Sequence, residues 1–377
     1  MSSSHAEGSI ARSEKSATKS VKAAKSGCGC CCWTISAIVF ILLAVAGILF
    51  WQFGPFREVV DSVVPGVSPT STTDGTPSES SFQFFQCKKN NTDDCCNGLD
   101  NICDLKVNEV LFAGTHNSYS STDMGFPFLL ANQGIKLENQ LKAGVRSLNL
   151  DLCGCGNEIV FCHNSCLVTR NTKEVYASIV SFLNRNPTEI LLITMELNSD
   201  LDQAIDLDAV YAEMQTVDGF VEYIYVHSEW LAPWPTMREL KEAGKRILIF
   251  HYRGPMCITN DPCPDGLHYW FANGFETPYE FESIEDITSN YESSCAINRG
   301  TDGTKAFFGV NQFTSLPVKE RASQLGTSQL LEKRISSCSE IQNNQPVSVV
   351  LVDFVEVTDL LQVTQKHNSK LARRLLN

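Results

Sequence analysis

Short apolar runs alternate with amphipathic stretches through most of the 377-residue chain, and this alternation constrains the fold more than any other feature. Eight runs are rich in β-branched residues or Leu, which is typical of buried strands. They are Val110–His116, Ser147–Cys153, Ile159–His163, Ile190–Leu197, Val221–His227, Arg246–Tyr252, Ala306–Phe313 and Val347–Val355. Stretches with helical periodicity lie between several of them, at Leu137–Ala143, Thr172–Asn184, Leu207–Gln215, Thr236–Ala243 and Val318–Ser337.

Eight strands with intervening helices over roughly 270 residues predict an α/β fold of the (β/α)8 TIM-barrel type, whose usual size is about 250 residues. A doubly wound open sheet is the alternative. It is less favoured because no glycine-rich G-x-G-x-x-G turn follows the first strand.

An uncharged run of 21 residues, Trp33–Phe53, has the length of a transmembrane helix. A cleaved secretory signal is the alternative, but 32 residues precede the run. Five basic residues before it place the N-terminus in the cytoplasm by the positive-inside rule. We therefore expect a single-pass type II membrane protein with a signal-anchor helix, whose following domain is lumenal or extracellular, at the plasma membrane or in the secretory pathway.

The expected organisation is a basic cytoplasmic tail over 1–32, the membrane helix over 33–53, a Ser/Thr/Pro-rich stalk over 54–86 and a folded domain over 87–377. The tail ends in a cysteine cluster, Gly27–Cys32, which suits palmitoylation better than zinc binding because paired ligand spacing is missing. The sequence Asn90-Asn91-Thr92 offers an N-glycosylation site.

Twelve further cysteines follow the stalk, and this even number in an oxidising compartment predicts disulfides. Local pairing within 87–103, within 153–166 and within 257–338 closes the shortest loops. The chain after residue 32 carries 25 basic and 41 acidic residues. Such an acidic body argues against nucleic acid as a partner, because binding to a phosphate backbone needs clustered Lys and Arg.

Six titratable side chains fall at or just beyond the predicted strand ends, where a barrel opens its catalytic face. They are His116, Asp151, His163, Glu196, His251 and Asp353. Two histidines suit general acid–base catalysis, and a buried Asp353 would orient an imidazole as the third member of a triad does. Asn117, Asp151 and Glu196 supply oxygen ligands suited to Ca²⁺ or Mg²⁺. Alternatively, the two carboxylates pair with a basic side chain such as Arg146.

Several segments together resemble the X domain of phosphatidylinositol-specific phospholipase C, most closely the plant and fungal phospholipase-C-like phosphodiesterases. The resemblance covers about residues 105–365 and rests on their order along the chain. The segments are LFAGTHNSYS (Leu111–Ser120), ENQLKAGVRSLNLDL (Glu138–Leu152), VFCHNSC (Val160–Cys166), SFLNRNPTEILLITMEL (Ser181–Leu197), WPTMRELKEAGKRILIF (Trp234–Phe250) and VSVVLVDFVEV (Val347–Val357).

This resemblance implies an irregular TIM barrel in which His116 is the general base, His163 the general acid and Asp353 the carboxylate that orients the base. It implies a divalent cation on Asn117, Asp151 and Glu196, although Asn149 stands where metal-dependent relatives have an acidic ligand. It also implies attack of an inositol hydroxyl on the neighbouring phosphorus. His251, Arg253 and Asn149 are further candidates for contacts with the substrate.

The predicted function is therefore a membrane-anchored phosphodiesterase that cleaves a phosphoinositide or glycosylphosphatidylinositol. The alternatives are a catalytically silent barrel that serves as a binding module, and a phosphodiesterase for soluble glycerophosphodiesters. The expected partners are a membrane and a phospholipid or another phosphodiester. Apolar clusters at Trp230–Trp234 and His268–Phe271 suit either contact with a bilayer or buried packing.

Overall fold

The computed structural model describes Cys87 and residues 93–163, 165–198, 205–227, 232–253, 266–301 and 305–375. The predicted tail, membrane helix and stalk, together with the sequon at Asn90, lie outside these residues, so the topology and localisation stay predictions. None of the helices in the described ranges is both long and apolar enough to cross a membrane.

Most of the described strands belong to one curled sheet. In chain order the strands are β1 (Cys95–Cys96), β2 (Leu99–Asp100), β3 (Phe112–Thr115), β4 (Ser147–Cys155), β5 (Glu158–Cys162), β6 (Thr169–Asn171), β7 (Leu191–Asn198), β8 (Ile247–His251), β9 (Leu267–Tyr269), β10 (Gly274–Glu276), β11 (Phe307–Asn311) and β12 (Val349–Val352). Eight of them pair in parallel in the order β10-β11-β12-β3-β4-β7-β8-β9. No pairing between β9 and β10 closes the ring within the described residues, so the α/β fold is a curled parallel sheet that stays open at this point.

Helices surround the sheet as expected for a barrel-like α/β fold. They are α1 (Leu137–Ala143), α2 (Thr172–Arg185), α3 (Leu207–Gln215), α4 (Met237–Glu242), α5 (Trp270–Asn273), α6 (Ile284–Thr288), α7 (Tyr291–Ser294), α8 (Lys319–Leu325), α9 (Ser328–Ile341) and α10 (Leu360–Leu375). The stretch predicted as one helix over Val318–Ser337 is interrupted at Gly326 and forms α8 and α9.

Of the eight predicted strands, one is wrong, and another is a strand that lies outside the parallel part of the sheet. Ile159–His163 corresponds to β5, which pairs antiparallel with β4 and extends as a hairpin arm from the sheet. Val221–His227 contains a short 3₁₀ helix, Val221–Tyr223, and only an isolated bridge from Ile224 to β8. The two remaining places in the sheet belong to β9 and β10, which have three residues each.

Alternation along each strand separates two apolar cores. The larger lies between the sheet and the helices, and the second fills the inside of the curl with Phe112, Leu192, Phe250 and Phe307 among others. The inner core continues into the segment 96–110, which closes the amino end of the sheet. There the Asn97 side chain accepts a 2.7 Å hydrogen bond from the backbone N–H of Ile190, just before β7.

Five disulfides join cysteines of the described part. They are Cys87–Cys95, Cys96–Cys103, Cys153–Cys162, Cys155–Cys166 and Cys295–Cys338. Each pair falls within one of the three groups predicted from loop length, whereas Cys257 and Cys263 lie outside the described residues. Two of the bridges staple the N-terminal segment, and two staple the β4–β5 hairpin arm.

Candidate active site

A cavity of about 410 Å³ opens at the carboxyl end of the sheet. Polar side chains from many strands line it, as expected where parallel strands end on a common face. The lining comprises His116, Asn117, Asn149, Asp151, His163, Glu196, Asn198, Tyr252, Tyr279, Glu280, Arg299, Asn311, Phe313, Ser315 and Leu351. Both predicted catalytic histidines and all three predicted metal ligands therefore face one space.

His116 and Asp353 form the central pair. The two residues follow the neighbouring strands β3 and β12, and His116 Nδ1 lies 2.9 Å from Asp353 Oδ1, with Asp353 almost fully buried. The imidazole stacks on Phe313 at 3.9 Å between ring centroids. A proton on Nδ1 is thereby held by the carboxylate, which leaves Nε2 as the nitrogen that accepts a proton.

The loop after β3 fixes this pair through two amide side chains. Asn132 Nδ2 donates to Asp353 Oδ1 at 3.1 Å, and Gln133 Nε2 donates to the carbonyls of His116 and Val352 at 2.8 and 3.1 Å. Both side chains are buried. The backbone positions of the base and of its carboxylate partner are therefore held together by one segment.

His163 reaches the cavity from the end of β5, the hairpin arm, and not from a strand of the parallel sheet. The arm is held by its two disulfides and by Tyr119, whose hydroxyl donates to the Cys162 carbonyl. His163 Nδ1 donates to the Leu130 carbonyl at 2.9 Å, so its Nε2 is the nitrogen left to exchange a proton with a ligand. Burial, and to a smaller degree the nearby His116, lower the pKa of His163.

Two carboxylates stand beside the histidines. Asp151 and Glu196 are directly opposite each other on the paired strands β4 and β7. The pKa of Asp151 is raised to about 7, mainly by burial and to a smaller degree by the charge of Glu196, whereas His116 and Arg299 act in the opposite direction. Burial also raises the pKa of Glu196.

Arg299 was missed in the sequence, where it stands in a polar turn without any motif. Its Nε and Nη2 lie 3.2 and 3.1 Å from Glu276 Oε2, and its Nη1 lies 3.5 Å from Glu196 Oε2. The guanidinium packs over the rings of Tyr252 and Tyr279, at 4.4 and 4.5 Å from their centroids. This places a positive charge in the wall of the cavity. The sequence offers only a lone arginine between predicted elements, a signal that is too weak to identify a site residue.

The donor set fits a divalent cation poorly. Asn117 Oδ1 faces the Asp151 oxygens at 3.1 and 3.2 Å, a contact between acceptors that a cation, a proton on Asp151 or a turned Asn117 amide would each relieve. Glu196, however, already pairs with Arg299, whose charge would repel a cation held between these carboxylates. Within the described residues, no three His, Cys, Asp or Glu side chains cluster as metal ligands. We derive no step through a metal.

Two of the predicted substrate contacts are not among the residues that line the cavity. His251 is buried on the opposite face of β8 from Tyr252, because successive residues of an extended strand alternate between faces, and Tyr252 is the one that lines the cavity. Arg253 is not part of the lining either. Asn149 does line it, and its Oδ1 accepts from the Asn117 N–H at 3.1 Å.

The two tryptophans described in the predicted membrane-contacting clusters are not exposed. Trp234 and Trp270 are buried in the inner core, where both pack against Phe250 and Phe307. The alternative of buried packing is therefore correct for these two residues. Arg146, the other alternative considered above, pairs with Glu189 at 2.6 Å and not with Asp151 or Glu196.

A model of the PI-PLC X family matches residues 102–368, which is most of the described body. The chain belongs to the PI-PLC X family. Among similar proteins of this family, PI-PLC X domain-containing protein 1 of Arthroderma benhamiae is 26% identical over 291 residues, covering 72% of this chain and 89% of that protein. A PI-PLC X domain-containing protein of Arabidopsis thaliana is 23% identical over 272 residues, covering 68% of this chain and 60% of that protein.

Solved structures of PI-PLC enzymes share the fold of this PI-PLC X chain. A structure of phosphatidylinositol-specific phospholipase C from Staphylococcus aureus superposes with a TM-score of 0.50 at 16% identity, covering 73% of this chain and 97% of that one. At this identity the likeness concerns the fold alone.

Proposed function

We propose that this PI-PLC X protein is a phospholipase-C-like phosphodiesterase that acts on a phosphoinositide or a glycosylphosphatidylinositol. One observation carries the proposal: His116, paired with the buried Asp353, lines the same cavity as His163. Two imidazoles around one cavity can remove a proton from an attacking hydroxyl and deliver another to a leaving oxygen. Membership of the family favours phosphodiesters as the substrate class.

In the proposed reaction a hydroxyl next to the phosphodiester attacks the phosphorus. His116 Nε2 takes the proton of that hydroxyl, a new P–O bond forms, and the bond to the glycerol oxygen breaks. His163, protonated on both nitrogens, gives its Nε2 proton to the departing oxygen, so that a cyclic phosphate and diacylglycerol result. An anionic phosphate next to His163 favours the protonated ring and opposes the effect of burial on its pKa.

The rim of the cavity supports a lipid substrate. Five of the six large apolar side chains exposed in the described residues either line the cavity or lie within four residues of a lining residue or of Leu130, the partner of His163: Phe128, Leu129, Leu167, Tyr279 and Leu316. Leu129 precedes the residue whose carbonyl holds His163, and Leu316 follows the lining residue Ser315. Their exposed fractions reach 57% for Phe128 and 90% for Leu167. A rim of this kind suits contact with acyl chains.

Phosphorus NMR of the products tests the proposal. The full-length protein is incubated with phosphatidylinositol in mixed micelles, and we expect the resonance of a cyclic inositol phosphate to appear. His116→Ala should abolish it, whereas Asp123→Asn, which removes an exposed carboxylate in a 3₁₀ turn, serves as the matched control. Turnover of glycerophosphoinositol without turnover of the lipid would favour a soluble diester as substrate. No turnover of any phosphodiester by a folded protein would contradict the proposal and favour a binding module.

A further inference from the structure

We infer that Arg299 is a catalytic residue that binds the phosphate of the substrate and supplies the positive charge that a divalent cation would otherwise provide. This inference rests on the proposed function, because it assigns a role at the same cavity. Arg299 lies between β10 and β11, far in the sequence from both histidines, and lines the cavity together with them.

The guanidinium is fixed before any ligand arrives. Glu276 is buried and accepts from two of its nitrogens, Nε at 3.2 Å and Nη2 at 3.1 Å. Glu276 is held in turn by the Tyr252 hydroxyl, which donates to its other oxygen at 2.7 Å. With Tyr252 and Tyr279 packed against its plane, the side chain has little freedom to leave the cavity wall. Such preorganised donors stabilise developing charge without a cost of reorganisation.

One edge of this guanidinium remains for a ligand. Within the described residues, the contact assigned to Nη1 is the 3.5 Å ion pair with Glu196, which is too long for a strong hydrogen bond. Glu196 is more than one third exposed in its side chain, so it can turn towards solvent when an anion approaches. Nη1 is then free to donate to a non-bridging phosphate oxygen.

The charges of the cavity also favour an arginine over a cation. Asn149, two residues before Asp151 on β4, is neutral and uses its amide oxygen to hold a backbone N–H. A cation held between Asp151 and Glu196 would also face the charge of Arg299, whose Nη1 lies 3.5 Å from Glu196 Oε2.

The step itself balances without a further reactant. As the attacking oxygen bonds to phosphorus and the glycerol oxygen leaves, negative charge grows on the non-bridging oxygens. Arg299 stabilises this charge by a hydrogen bond and by its own charge, and it neither gains nor loses a proton. Both proton transfers remain with His116 and His163.

The first experiment compares cation dependence and variants of the full-length protein. Wild-type turnover of phosphatidylinositol in mixed micelles should change less than twofold when EGTA and EDTA are added. Arg299→Lys keeps the positive charge but loses the planar guanidinium with its several N–H donors, and kcat should fall about 10-fold or more. Arg299→Gln combined with Glu276→Gln removes both partners of the ion pair, so that no buried charge is left alone, and kcat should fall about 10²–10³-fold. Activity that chelators abolish and Ca²⁺ restores would overturn the inference.

A second measurement separates contact with phosphate from a structural role. Phosphatidylinositol with one non-bridging oxygen replaced by sulfur exists as two isomers, and wild type should slow strongly for only one of them. In Arg299→Lys this difference between isomers should shrink severalfold, because the specific donor is lost. A difference that persists unchanged in the variant would refute the contact. Rescue by Cd²⁺ of the slow isomer's turnover in wild type would refute it as well, because it would indicate a metal at that oxygen.

Binding distinguishes failure of the inference from failure of the proposed function. Inositol 1-phosphate is titrated by calorimetry in the presence of chelator, and the double variant should bind it at least tenfold more weakly than wild type or Asp123→Asn. Such binding without turnover of any diester would contradict the proposed function and leave only the contact between Arg299 and phosphate standing. Turnover of the lipid, together with equal affinity of wild type and double variant for inositol 1-phosphate, would support the proposed function and overturn the inference.

Discussion

Replacing Asp151 by Asn should change how the stability of the protein depends on pH. The carboxyl group is 9% exposed, and burial raises its pKa from 3.8 to about 7. The folded state therefore holds the proton more tightly than the unfolded chain, and the free energy of unfolding decreases as the pH rises from about 4 to about 7. The interval between these pKa values corresponds to at most about 4 kcal/mol, because Glu196 and Arg299 share the effect.

The amide that this substitution introduces carries no charge at any pH, so Asp151→Asn should lack this decrease. The difference in free energy of unfolding, Asp151→Asn minus wild type, should therefore increase steadily from pH 4 to pH 7 and stay constant above pH 7. Urea denaturation followed by tryptophan fluorescence, with chelator present, measures both profiles. Asp123→Asn, at an exposed position, should run parallel to wild type. Parallel profiles for Asp151→Asn and wild type would refute the argument that burial keeps this group protonated.

Three further outcomes follow from the geometry of the cavity. Asp353→Asn should keep the fold but lower kcat about 10³-fold, since the 2.9 Å contact that orients His116 is altered; a kcat within tenfold of wild type would count against the pair. Phe128→Ser with Leu129→Ser should weaken sedimentation with phosphatidylinositol vesicles severalfold and leave turnover of glycerophosphoinositol unchanged; equal losses on both substrates would point to misfolding. His251→Leu should leave kcat within about threefold of wild type, because the ring lies on the other face of β8; a loss comparable to that of His116→Ala would contradict this placement.

Sequence reasoning succeeded where a signal was local and repeated. The bounds of α1 and α3 match the predicted helices, and six of the eight apolar runs lie in the parallel sheet. It failed where pairing depends on distant parts of the chain. The run at 159–163 looks like any other buried strand, but two disulfides and the pairing with β4 turn it into an antiparallel arm. Strands of three residues, such as β9 and β10, carry too short a pattern to detect.

The residues of the site also divide into those with a local signal in the sequence and those whose position depends on distant parts of the chain. His116, His163 and Asp353 stand next to apolar runs, and their positions at strand or arm ends could be read from the chain. Which residues of β8 face the cavity could not be predicted from the chain. A shift of one residue in the strand places His251 instead of Tyr252 on the cavity side. Arg299 could not be identified from the sequence for another reason. Its proposed role depends on Glu276, Tyr252 and Tyr279, which only the folded chain brings around it.

The N-terminal hairpin gives the domain a direction. Through its bridge to Cys95, Cys87 is fixed beside the start of β7, at the opposite end of the sheet from the cavity. The point at which the described domain begins is therefore separated from the cavity by the length of the sheet, so a change at this bridge should leave the lining residues in place.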